Sequence, residues 1–117
     1  MDTQIVEIDS SQIKDWESFH KVFKETFGFP DFYGENLNAW IDCMADLDDP
    51  DSEMTKITVQ ENGVVILKMN DFMDFKNRSP AQYEALIDCI AFVNFARLDI
   101  GQSTVLCLMP IGTSQEE

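Results

Sequence analysis

The chain has 117 residues, enough for one domain with a single core and too few for two. Hydrophobic residues make up 44% and charged residues 26%, as in an ordinary soluble protein, but 22 Asp and Glu against 8 Lys and Arg leave a net charge of −14. Such a chain repels nucleic acid and anionic membranes and attracts basic proteins, which argues against direct RNA, DNA or membrane binding.

Residues 3–9 alternate and carry Ile5, Val6 and Ile8, the pattern of a first strand. A helix is predicted from about Asp15 to Phe27, where Trp16, Phe19, Val22, Phe23 and Phe27 recur at helical spacing. Gly28 reads as its left-handed terminator and Pro30 bars its resumption. The connector 29–34 is rich in aromatics and turn formers. A second helix is predicted from about Glu35 to Leu47, with Leu37, Trp40, Ile41 and Met44 on its inner side. Glu35, Asn38, Asp42, Asp46 and Asp49 fall opposite and form an acidic outer ridge.

Residues 46–53, DLDDPDSE, read as a solvated acidic loop. Residues 56–60 and 64–69, separated by Glu61-Asn62-Gly63, read as a hairpin around an Asn-Gly turn. The unbroken run Val64-Val65-Ile66-Leu67 predicts a strand covered on both faces. After a short helical turn at 72–75, Ser79-Pro80-Ala81-Gln82 offers a cap, a proline at the first helical position and a capping-box glutamine. On the helix that follows, Tyr83, Leu86, Ile87, Ile90 and Asn94 line one side. Phe92 and Phe95 fall near the other and need covering, by the first helix or by a partner. Residues 104–108 read as a final buried strand, and 112–117 as a flexible tail on a domain spanning 1–111. The order strand, helix, helix, hairpin, helix, strand predicts an α/β fold, a small parallel sheet packed by helices.

Site chemistry is sparse. Numbering a calcium loop from Asp46 puts Pro50 at a ligand position and Ile57 where the bidentate glutamate belongs. One histidine and three dispersed cysteines give no zinc spacing, so no metal and no cofactor are expected. His20 has no identifiable nucleophile and reads as a structural helix histidine. Asp42 and Asp46 blunt Cys43 as a nucleophile, and a solvated ridge keeps Glu35 and Asp42 ionised, so neither supports catalysis. The protein is not expected to be an enzyme. Cys43, Cys89 and Cys107 lack a CxxC pair, the N-terminus lacks a signal-peptide pattern, and no apolar run approaches a membrane span. A reduced, cytoplasmic protein, monomeric when free, is the expectation.

One stretch is more specific. Phe29-Pro30-Asp31-Phe32-Tyr33-Gly34-Glu35-Asn36-Leu37-Asn38-Ala39-Trp40-Ile41-Asp42-Cys43-Met44 closely resembles the signature of the barstar family of ribonuclease inhibitors, and His20 keeps register with it. The resemblance implies a three-stranded parallel sheet packed by helices, here with residues around Asn62-Gly63 as an extra hairpin insertion. It implies a protein that blocks a ribonuclease by setting acidic side chains where RNA phosphates would lie. Asp42 matches the family's dominant acidic contact, and Phe32 and Tyr33 stand where the family places two tyrosines. Gly34 and Asn36 match the loop and the cap. Phe32, Tyr33, Gly34, Glu35, Asn38, Ile41, Asp42 and Asp46 are thus the candidate partner-binding residues. Asn38 departs from a second acidic contact, Ile41 from an aromatic one, and no acid matches the family contact among Val93, Asn94, Phe95 and Ala96. The implied partner is a basic ribonuclease or the nuclease domain of a toxin. An acidic interaction module with a non-nuclease basic partner is the alternative.

Overall fold

A computed structural model describes residues 2–112. Of the expected tail at 112–117, all but Gly112 lies outside the described residues.

Three parallel strands form one sheet in the order β1 (Thr3–Ile8), β2 (Val64–Met69), β3 (Leu106–Pro110). Thr3 pairs with Val64 and Val65 with Leu106, so β2 is central. Four helices join them: α1 (Trp16–Phe27), α2 (Leu37–Ala45), α3 (Phe72–Arg78) and α4 (Pro80–Asp99). The α/β class and the small parallel sheet are as the sequence predicts.

The start of α1 is locked by Asp15, whose carboxylate accepts the Ser18 N–H at 2.8 Å while the Ser18 hydroxyl accepts the Asp15 N–H at 3.0 Å. Phe19, Phe23 and Phe27 are fully buried, and Trp16, at the rim of the stripe, is 41% exposed. Gly28 ends the helix at φ 72°, and a Cβ there would lie 2.6 Å from the Lys56 side chain. Both backbone and space therefore demand glycine at this position.

The predicted hairpin does not form. Residues 56–60 make no strand; they lie along the body of the protein through scattered bonds. The Lys56 N–H reaches the Phe27 carbonyl at 2.8 Å and the Val59 N–H reaches the Leu47 carbonyl at 2.9 Å. The turn itself exists but is displaced by one residue. It closes from the Gly63 N–H to the Gln60 carbonyl, with Asn62 at φ 69° and Glu61 outside the positive region. A positive φ at the second central residue alone lacks the twist that two-residue hairpins require. The chain instead delivers β2 parallel to β1, and the Val64 N–H meets the Asp2 carbonyl at 2.9 Å.

Burial of β2 also differs from expectation. Val65, Leu67 and Met69 are fully buried, whereas Val64, Ile66 and Lys68 are only half-buried. Their register neighbours Ile5 and Cys107 are exposed, so one sheet face faces the core and the other is largely open. The final strand begins at Leu106 rather than at residue 104, and Cys107 is exposed within it.

Near the last helix, α3 runs longer than the predicted turn, and Ser79 alone separates it from α4. The expected capping box is absent, because the Ser79 hydroxyl turns away to the Ile13 carbonyl at 3.3 Å and Gln82 is buried. Leu86 and Ile90 enter the core. Asn94 joins α4 to β3: its carbonyl oxygen accepts the Val105 and Leu106 N–H groups at 3.0 and 3.1 Å, and its amide donates to the Leu106 carbonyl at 2.9 Å.

A candidate partner-binding surface

The loop before α2 is anchored from below. Tyr33 is buried, its ring centroid 4.7 Å from that of Phe29 and 5.5 Å from that of His20. Its hydroxyl hydrogen-bonds His20 Nδ1 at 2.5 Å. Trp16 stacks over the His20 ring. Burial pushes the His20 pKa down, opposed by nearby Glu35, and pushes the Tyr33 hydroxyl well above its ordinary value. Both groups are therefore held neutral, and His20 is the structural histidine the sequence implies. With Tyr33 turned inward, its neighbour Phe32 points outward and is 76% exposed.

The entry to α2 is set by Asn36, whose side-chain oxygen accepts the Ala39 N–H at 2.8 Å and whose amide reaches the Gly34 carbonyl at 3.3 Å. The helix accordingly starts at Leu37, two residues later than predicted, and Glu35 sits in the loop at φ 54°. A left-handed non-glycine residue costs about 1–2 kcal/mol. The Asn36 cap and the buried Tyr33 hold this turn from either side. Within the helix, Trp40, Cys43 and Met44 are buried, and Trp40 meets Phe23 of α1 edge-on at 5.5 Å. Leu37 and Ile41 are half-buried at the rim of the core. Asn38 and Asp42 are left on the exposed face, and among the described residues the Asp42 carboxylate takes no hydrogen bond and no ion pair.

The acidic ridge is shorter than its sequence pattern. Glu35 precedes the helix, Asp46 is its C-cap and Asp49 lies beyond it, so Asn38 and Asp42 alone occupy the helical part. Asp46 is half-buried, and its pKa is raised by desolvation and then by Asp49 and Asp48, with Arg97 opposing. The expected solvated loop after it is partly internal. Leu47 is fully buried, and Asp48, itself partly buried, pairs with the buried Arg97 of α4 at 2.7 Å. Arg97 also donates to the Ala45 carbonyl at 2.6 Å and to the Ser103 carbonyl at 2.8 Å, tying the end of α2 to α4 and to the approach to β3. Nothing local marks this pair, since its members stand 49 residues apart.

All three cysteines are free; Cys43 and Cys89 are buried. Burial first, then Asp42 and Asp46, pushes the Cys43 thiol up to about 11, so it is inert at neutral pH. Among the described residues no group of three or more His, Cys, Asp or Glu side chains is arranged to hold a metal ion. No described helix is long and apolar enough to cross a membrane.

The fold and the surface define a small α/β domain that locks one helix by its apolar face and offers an acidic side chain and an aromatic loop outward. The family model described as barstar (barnase inhibitor) matches residues 3–103, and the chain belongs to the barstar family. Membership implies a role as a ribonuclease inhibitor or nuclease-immunity protein of the barnase-inhibitor type. No curated protein matches the chain.

Proposed function

We propose that this protein inhibits a basic ribonuclease, or the nuclease domain of a toxin, by inserting the exposed face of α2 and the loop before it into the active site. The observation that carries this reading is Asp42: an exposed carboxylate with no partner among the described residues, on a helix whose opposite face is fixed in the core. A nuclease cleft is lined with cations that bind phosphate, and a carboxylate on a rigid helix takes a phosphate's place with little ordering cost. Phe32, exposed on the loop before the helix, supplies an apolar contact, Gly34 and Glu35 shape the loop edge, and Asn38, Ile41 and Asp46 flank Asp42 along the chain. Tyr33 acts from beneath, holding Phe32 outward. The protein works free of cofactors, as a monomer in the cytoplasm, with a net charge that opposes self-association. Immobilised protein exposed to cell secretions should retain an RNA-cleaving activity that high salt releases, and the Asp42→Ala protein should retain much less. Equal retention by the two would remove Asp42 from the site.

The second reading, an acidic interaction module for a non-nuclease basic partner, draws on Asn38 and Ile41, which weaken the acidic and aromatic character of the helix face. Retained basic protein with no RNA-cleaving activity would favour it.

A further inference from the structure

The outer face of α4 is apolar and uncovered. Phe92, Phe95 and Leu98, one helical turn apart in succession, are 57%, 69% and 56% exposed, and Ile100 just past the helix is 72% exposed. The helix does not need this face for its own packing, which runs through Leu86, Cys89, Ile90 and Val93 on the other side. Side chains spaced in this way form a ridge of the kind that packs between the side chains of another helix. Contiguous apolar surface rimmed by polar groups marks an interaction site more often than a neutral accident.

The charge on α4 selects the occupant. Its acids Glu84, Asp88 and Asp99 are all exposed, whereas its one cation, Arg97, is turned inward and held by Asp48 and two carbonyls. The outer face therefore carries carboxylates among its apolar side chains and no positive charge. A second copy of the chain would bring the same carboxylates together on a background of −14 per chain, which disfavours a symmetric pair. We infer that the outer face of α4 docks a basic amphipathic helix of a partner protein, whose apolar side chains cover Phe92, Phe95 and Leu98 and whose lysines or arginines meet Glu84, Asp88 and Asp99.

The test uses two synthetic peptides of equal charge. One has leucine on one helical face and lysine on the other; its control has serine in place of leucine. Wild-type protein should bind the leucine peptide at least about tenfold tighter than the serine peptide, with amide shifts concentrated on α4. The variant carrying Phe92→Ser and Phe95→Ser should lose that preference and keep its melting temperature, since both side chains are exposed; Phe95→Ala alone should lose part of it. Asp42→Ala should leave the preference intact, so this result stands or falls separately from nuclease inhibition. An unchanged preference in the double variant would overturn the inference, as would sedimentation showing wild-type chains paired through this face and the double variant monomeric.

Discussion

Asp42 and Asp48 lie close in the chain and serve opposite ends. Asp42 faces solvent with no partner among the described residues, whereas Asp48 pairs with Arg97, whose side chain is 3% exposed. Removing one member of a buried pair strands the other charge, at a typical cost of about 3–5 kcal/mol. The Ala45 and Ser103 carbonyls still receive two of the Arg97 donors, so Asp48→Ala should cost about 3 kcal/mol, the low end of that range. Urea unfolding measures it, and an unshifted midpoint would show the bridge to be energetically silent. His20 makes the stability of the fold depend on pH. Its folded pKa lies below 6.5 because burial disfavours the imidazolium. The folded state thus binds that proton less readily than the unfolded state. The stabilisation is complete above pH 6.5 and declines as the pH falls from there toward the folded pKa. Stability measured from pH 8 to pH 5 should fall more steeply for wild type than for His20→Gln, whose amide can still bond Tyr33. Parallel slopes would mean that the ring titrates as freely folded as unfolded.

The elements differ in how openly their residues announce them. The α1 stripe and its Gly28 terminator were legible because capping, periodicity and termination all reside within one local segment. The candidate surface was legible as far as the stretch from Phe29 to Met44 specifies it, including the outward Asp42. The start of α2 departs from its spacing because Glu35 continues the acidic pattern while Asn36 caps the helix, and spacing cannot reveal a left-handed φ. The Asn62-Gly63 pair signals a hairpin by composition, yet the turn uses Glu61 and Asn62 as its central residues and sends β2 parallel to β1. Tyr33 could not be read as inward-facing without His20, nor Asp48 as internal without Arg97, since each contact joins separate elements. The position of Asn38 carries its own prediction. It lies in the first turn of α2, where no acid offsets the positive end of the helix dipole. Asn38→Asp should therefore raise stability by about 0.3–1 kcal/mol and tighten binding to a basic target. Thermal melts and titrations of the two proteins separate the effects; weaker binding by the more acidic variant would refute the electrostatic reading of this face.

At the scale of the whole molecule, the dominant property is a net charge of −14, which would attract the proposed nuclease target, since a cleft that holds RNA is positive. Long-range attraction of this kind accelerates encounter and is screened beyond about 8 Å at physiological ionic strength. Association with a basic nuclease should be fast and should slow as salt rises, with a smaller change in dissociation. Stopped-flow rates across a salt series provide the check, and a flat response would reduce the charge to a solubility device. Asp42 on the locked α2 helix is proposed to block a nuclease active site, and titration of barnase activity with the wild-type protein and with Asp42→Ala checks this. The wild-type protein should inhibit barnase, though weakly, because Asn38 and Ile41 lack the charge and the aromatic surface that would complete the contact. Asp42→Ala, with an unchanged melting temperature, should lose at least about a hundredfold of that inhibition, equivalent to roughly 2.7 kcal/mol. Equal inhibition by the variant would contradict the role given to Asp42, and no inhibition by the wild type at any attainable concentration would show that the Asp42 carboxylate alone does not hold barnase.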